Sequence, residues 1–219
     1  MSQNRRYNPA IRRLARLLAR GASGEITTVN SDFYIGAHFG GVRDHMEHVL
    51  LLDMAIHTFD QARLITAADP VSVYCREWNP RGSWYDRDAS AVCVFELSDG
   101  IVFTYRGSWC AEGLNTSWES DGRVVCSKCT AMWDGHEGIR AAAVKRSGDF
   151  TSEMKELKVP ALAKKDRVGG HAGLIDEFLY SVRKGVAPET VCTDNIKSLA
   201  MVFGAIESAR RGRQVAIEV

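Results

Sequence analysis

The stretch Leu51-Leu52-Asp53-Met54-Ala55-Ile56-His57-Thr58-Phe59-Asp60-Gln61-Ala62-Arg63-Leu64-Ile65 decides how the rest of the chain is read. Wound as an α-helix, it sets Asp53, His57 and Asp60 at i, i+4 and i+7 on one face. The remaining positions are mostly apolar, so a polar stripe runs along a helix otherwise made for burial. A carboxylate one turn from an imidazole can orient the ring and favour its protonated form, which suits proton transfer near neutral pH. Spacing alone favours a plainer arrangement, an Asp–His pair facing water or satisfying itself at a core edge. The surrounding chain reverses that preference.

Just upstream runs the loop Gly36-Ala37-His38-Phe39-Gly40-Gly41-Val42-Arg43-Asp44-His45-Met46-Glu47-His48. Its glycines lack the spacing and the βαβ setting of a dinucleotide fingerprint. His45, His48 and His57 invite a metal reading and a hydrolase built on it, but no zincin pattern is present and nothing fixes a fourth ligand. The loop is expected to line a cleft beside the helix. Before it, Glu25–Ile35 reads as a strand. Asn8-Pro9 opens a helix whose apolar stripe is Ile11, Leu14, Leu17 and Leu18, and Gly21 closes it. Arg5, Arg6, Arg12, Arg13, Arg16 and Arg20 crowd this region; without interleaved aromatics they read as a solvated face, not a nucleic-acid surface.

Downstream the texture is that of strands: Val71–Trp78, Ala89–Leu97, Ile101–Trp109, Arg123–Cys126, Ala131–Trp133, Ile139–Lys145 and Met154–Val159. Short turns such as Ser98-Asp99-Gly100 separate them, without intervening helices, which predicts an antiparallel sheet. Ala91-Val92-Cys93-Val94-Phe95 and Ile101-Val102-Phe103 are apolar on both faces, as strands buried on both sides are. Few helices are available, so one face is expected to meet a second subunit, making a dimer or larger homo-oligomer. Cys126-Ser127-Lys128-Cys129 has no second pair and no thioredoxin-like setting, and reads as small residues at a turn. Residues 161–170 read as a surface loop. Helices over His171–Lys184 and from Thr193 or Asp194 to Gly212 follow, then a closing strand over Gln214–Val219. His171 reads by default as an exposed helix-start histidine.

The bulk numbers agree with one ordinary globular domain: 219 residues, 45% hydrophobic, 25% charged, net charge +1. Nothing drives the chain toward nucleic acid or membrane, and six scattered cysteines fit reduced thiols in a cytoplasmic protein.

Taken together, Asp53-Met54-Ala55-Ile56-His57-Thr58-Phe59-Asp60 resembles the Asp-x-x-x-His-x-x-Asp helix of the Gfo/Idh/MocA oxidoreductases. Arg5-Arg6-Tyr7-Asn8-Pro9 looks like their junction between cofactor and substrate domains, and residues 193–215 are similar to their last helix and strand. The resemblance covers 2–219 and is to their C-terminal domain. It implies an α+β fold: an open, predominantly antiparallel sheet with helices on one face and oligomerisation through the other. It also implies the substrate-binding half of an NAD(P)-dependent dehydrogenase acting on a sugar, polyol or related cyclic alcohol. His57 would take the alcohol proton and Asp53 would orient it. Arg6, His38, Arg43 and Asp60 would line the substrate cleft.

The family's Gly-rich loop and Glu-Lys-Pro motif do not occur in these 219 residues. Residues 1–8 are expected to be the remnant of the junction with a Rossmann domain, present in cis or trans in the complete enzyme. NAD or NADP would bind there, with none expected on this chain and no turnover by it alone. The alternative is a non-catalytic module for small-ligand binding or dimerisation.

Overall fold

The computed structural model describes residues 3–19, 21–148 and 150–219; Arg20 of the basic cluster lies outside them. Among these residues the strands are β1 (Ile26–Tyr34), β2 (Pro70–Trp78), β3 (Ser90–Leu97), β4 (Val102–Ser108), β5 (Asp121–Cys126), β6 (Cys129–Trp133), β7 (Ile139–Arg146), β8 (Glu153–Glu156) and β9 (Val215–Ala216). They form one open sheet in the order β8-β7-β6-β5-β1-β4-β3-β2-β9. The α+β architecture is the expected one. One pairing departs from it: β1 runs parallel to β4, from Thr28 opposite Val102 to Tyr34 opposite Ser108. The long excursion through the central helix and the β2–β3–β4 meander brings the chain back beside β1 in the same direction, which turn signals cannot announce.

The helices are α1 (Pro9–Leu18), α2 (Ile56–Thr66), α3 (His171–Lys184) and α4 (Cys192–Arg211). The Asn8 carboxamide caps α1, accepting from the Ala10 and Ile11 amides at 2.8 and 3.3 Å. No side chain caps α4; it begins at Cys192, with Val191 at the cap position, so Thr193 and Asp194 lie inside it. Only Val215–Ala216 of the expected closing strand pairs.

Alternation along β1, β3 and β4 turns Val29, Phe33, Cys93, Phe95, Phe103 and Tyr105 toward the helices, where all are buried. Phe59 of α2 sits among them, its ring centroid 4.8 Å from Phe95 and 5.3 Å from Tyr105. The opposite face is not covered within the single chain: Tyr74, Val94, Val102, Met132 and Met154 are exposed there. Double burial of β3 and β4 is therefore met on one face only. Cys126 and Cys129 flank a two-residue turn, both buried as free thiols, and burial pushes the Cys126 thiol up to about 11. A thiol held that far from ionisation is a poor nucleophile.

Helices and N-terminal segment are fastened by one buried cluster. Asp60 of α2 has no exposed surface and accepts two hydrogen bonds from Arg6, Nε and Nη2 each at 2.7 Å. Ser198 Oγ of α4 donates to the same carboxylate at 2.7 Å. Arg63 joins Ser198 at 2.9 Å and Asp194 at 2.7 Å, and Arg6 reaches Asp194 at 2.8 Å. Removing one member leaves uncompensated buried charge, so Asp60→Ala is expected to cost about 3–5 kcal/mol in urea unfolding. A loss below about 1 kcal/mol would show that the cluster does not hold the helices together.

Candidate functional site

The chain enters α2 through a π-helical turn, Leu50–Ala55, whose wider winding changes which residues share a face. The simple i, i+4 geometry expected of Asp53 and His57 is replaced by two separate pairings. Asp53 accepts from Arg43 Nε at 3.1 Å. His57 Nδ1 instead meets the Gln3 Oε1 atom at 3.0 Å. With an amide oxygen toward it, Nδ1 carries the proton and Nε2 keeps the lone pair. Gln3 is fully buried, so the ring's hydrogen-bond partner is a buried neutral acceptor and not Asp53.

The ring's surroundings make it a weak base. Burial is the largest cause, the Arg5 and His171 charges add to it, and Asp60 and Asp53 oppose it, leaving His57 lowered to about 4. The imidazole is therefore neutral at pH 7. Arg5 is itself buried and rests between Glu119, at 3.4 Å from its Nε, and the Met54 sulfur, at 3.1 Å from its Nη2.

The other expected substrate contacts divide. Arg43 stays with Asp53, and its guanidinium lies 4.7 Å over the Phe39 ring. Arg6 and Asp60 do not face an open surface: both are buried in the cluster joining α2 to α4, paired with each other, Ser198 and Asp194. Asp60 acts on His57 only through its charge. His38 lies on the exposed loop, stacked on Trp84 at 3.7 Å and bonded to Glu112 at 2.8 Å. The three histidines of the metal reading go separate ways. His45 meets Asp86 at 2.6 Å and His48 meets Glu77 at 2.7 Å, a buried carboxyl that burial pushes up to about 7. Among the described residues no group of three or more His, Cys, Asp or Glu side chains could hold a metal ion.

Gln3, Arg5 and Glu119 escape a reading of the sequence. Gln3 and Arg5 reach His57 by folding from the far end of the chain, and no local spacing marks them. The expected cleft is also altered: three marked concavities lie on the α4–β9 groove, the outer sheet face and around Tyr7 and Arg12, and none includes His57. The half-buried His57 and the partly exposed Asp53 sit outside these concavities.

The family model for the GFO/IDH/MocA C-terminal domain matches residues 11–132. The chain belongs to this family. It is 28% identical over 224 aligned positions to the uncharacterized protein y4oX of Sinorhizobium fredii, spanning 100% of this chain and 62% of that protein. Among solved structures it is similar to an oxidoreductase from Agrobacterium radiobacter in complex with NAD+, L-tartaric acid and magnesium, with a TM-score of 0.78 and 21% identity over 98% of this chain and 64% of that one. It is also similar to the aldose-aldose oxidoreductase from Caulobacter crescentus complexed with glycerol: TM-score 0.76, 18% identity, 97% of this chain and 62% of that one. These structures share the fold. The chain spans less than two thirds of the length of these relatives.

Among the described residues, the glycines that follow β1, namely Gly36, Gly40 and Gly41, lack the spacing of the turn that cradles a pyrophosphate and lead into a short 3-10 turn, Gly41–His45.

His57 is expected to titrate near 4, against 6.5 for a free imidazole, in a pH series of its ring NMR signals. The sign for stability follows: the folded state disfavours the protonated ring. This contribution is full above pH 6.5 and lost as pH falls toward 4, by about 3 kcal/mol in all. His57→Ala should flatten that part of the stability curve. A ring titrating at or above 6.5 would remove the burial argument.

Proposed function

We propose that this domain is the substrate-binding half of an NAD(P)-dependent oxidoreductase acting on a sugar, polyol or related cyclic alcohol. The cofactor is held by a Rossmann domain, joined in cis or supplied in trans. The observation that carries the reading is the neutral His57, its Nδ1 fixed by Gln3 and its Nε2 free to accept a proton. An alcohol that becomes a carbonyl must shed its hydroxyl proton, and His57 Nε2 is the acceptor placed for it. Asp53 and Asp60 favour the protonated ring, while burial and Arg5 disfavour it. The proton is therefore passed on, not stored. Arg43, half exposed and paired with Asp53, offers its remaining N–H groups to substrate hydroxyls. The oxidoreductases of Agrobacterium radiobacter and Caulobacter crescentus, crystallised with L-tartaric acid and with glycerol, support a polyhydroxylated or hydroxy-acid substrate class.

The test is turnover with the cofactor domain present. His57→Ala in the complete enzyme should lower kcat by about 100- to 10,000-fold while thermal unfolding stays two-state. Unchanged turnover would remove His57 from the mechanism and leave a ligand-binding or dimerisation module. The 219-residue chain alone should give no NAD-linked oxidation, and measurable turnover would refute the division of labour.

We infer also that the exposed apolar face of the sheet joins two or more copies. Val94 and Val102, diagonal neighbours on the same face of β3 and β4 and both exposed in one chain, support this reading. Sedimentation should give at least twice the mass of one chain, and Val94→Lys should shift the protein toward monomer. A monomeric unsubstituted chain would overturn it.

A further inference from the structure

Beside the Asp53–His57 turn stand two exposed aromatic rings that the proton chemistry does not use. Phe39 and Trp118 come from separate loops and are exposed by 39% and 53%. Their centroids are 6.3 Å apart, and both lean on the buried Trp109, at 5.1 Å from Phe39 and 5.6 Å from Trp118. Trp109 in turn packs edge-on against the core residue Phe33 at 4.9 Å, so the pair stands on a rigid base.

Both rings are tied to the helix that carries His57. Phe39 lies under Arg43, which binds Asp53. Trp118 is held by its neighbours: the Ser120 hydroxyl pairs with Thr58 at 2.8 Å, next to His57, and Glu119 meets Arg5 at 3.4 Å. Ser117 staples the same loop, its hydroxyl donating to the Ser120 and Gly135 carbonyls. A loop fastened at three points does not leave a large indole in water for want of order. Exposing it forgoes burial that the fold elsewhere achieves for Phe33 and Trp109.

We infer that Trp118, with Phe39 behind it, is the stacking shelf of the substrate site and selects ring-form polyhydroxylated alcohols over open-chain polyols. This rests on the substrate-binding reading above. A pyranose or cyclitol ring presents one face of axial C–H bonds, which an indole plane accepts, while its edge hydroxyls reach Arg43 and its reacting hydroxyl reaches His57. A flexible open chain loses more conformational freedom on the same surface and offers no flat C–H face.

The test follows the indole N–H and imidazole NMR signals of the chain during titration with methyl α-D-glucopyranoside, with myo-inositol and with sorbitol as the open-chain control. At least one ring compound should move Trp118 and His57 together, with sorbitol about tenfold weaker. Trp118→Ala should weaken ring binding by about tenfold and Trp118→Phe by less than threefold, with unchanged thermal unfolding in both. If a ring compound moves His57 while Trp118→Ala binds as well as the unsubstituted chain, or sorbitol binds equally, the shelf is wrong and the substrate-binding reading stands. Movement of Trp118 without His57 would place the rings outside the site and overturn the inference. If neither ring compound moves either signal up to its solubility limit, both readings fail together.

Discussion

The bidentate pair between Arg6 and Asp60 is the contact on which the candidate site depends. Asp60 is wholly buried in α2, and Arg6 belongs to the short segment that precedes α1. Their two 2.7 Å hydrogen bonds fix the path of residues 3–7 across the helix. Three residues before Arg6 stands Gln3, and its carboxamide is what orients the His57 ring. The orientation of the His57 ring is thus set by a buried ion pair. Ser198 and Asp194 extend the clamp to α4, so the end of the chain supports the same arrangement as its beginning. A buried pair of this kind is weak evidence for net stability, because desolvation offsets much of its attraction. Its value here is positional.

The π turn over Leu50–Ala55 is the second constraint. It separates Asp53 from His57 in contact while leaving it near enough to raise the ring's basicity. Each group then acquires its own partner, Arg43 for the carboxylate and Gln3 for the imidazole. The two pairings differ in what they allow. Gln3 is sealed in the interior. Arg43 is half exposed, so its pair with Asp53 stands at the surface.

The fold was largely legible because its signals are local and repetitive. The apolar runs Ala91–Phe95 and Ile101–Phe103, turn residues at Ser98-Asp99-Gly100 and the Asn8-Pro9 start each act within a few residues. The parallel approach of β1 to β4 was not legible, since it depends on where a long excursion brings the chain back. The same division runs through the site. Asp53, His57 and Arg43 lie within fifteen residues of one another and could be grouped from the sequence. Asp60 shares the helix, but its register after the π turn aims it inward, and Arg6 follows it into the core. A polar residue on a predicted face reads the same whether it greets a ligand or a buried guanidinium. Gln3 and Trp118 carried no signal, and Arg5, which reads with its basic neighbours as a solvated face, is buried, because their meaning arises only from tertiary proximity.

The low basicity of His57 has a physical counterpart in the way Asp53 is held. Asp53, paired with Arg43, and Asp60 raise the ring's basicity, but burial and Arg5 prevail. Covering the open surface above His57 would desolvate the ring further and weaken it more. A ligand whose hydroxyls draw Arg43 away from Asp53 has the opposite effect, because the freed carboxylate then acts undivided on the imidazole through a medium of lower dielectric. A ligand without such hydroxyls desolvates the ring and leaves Asp53 neutralised.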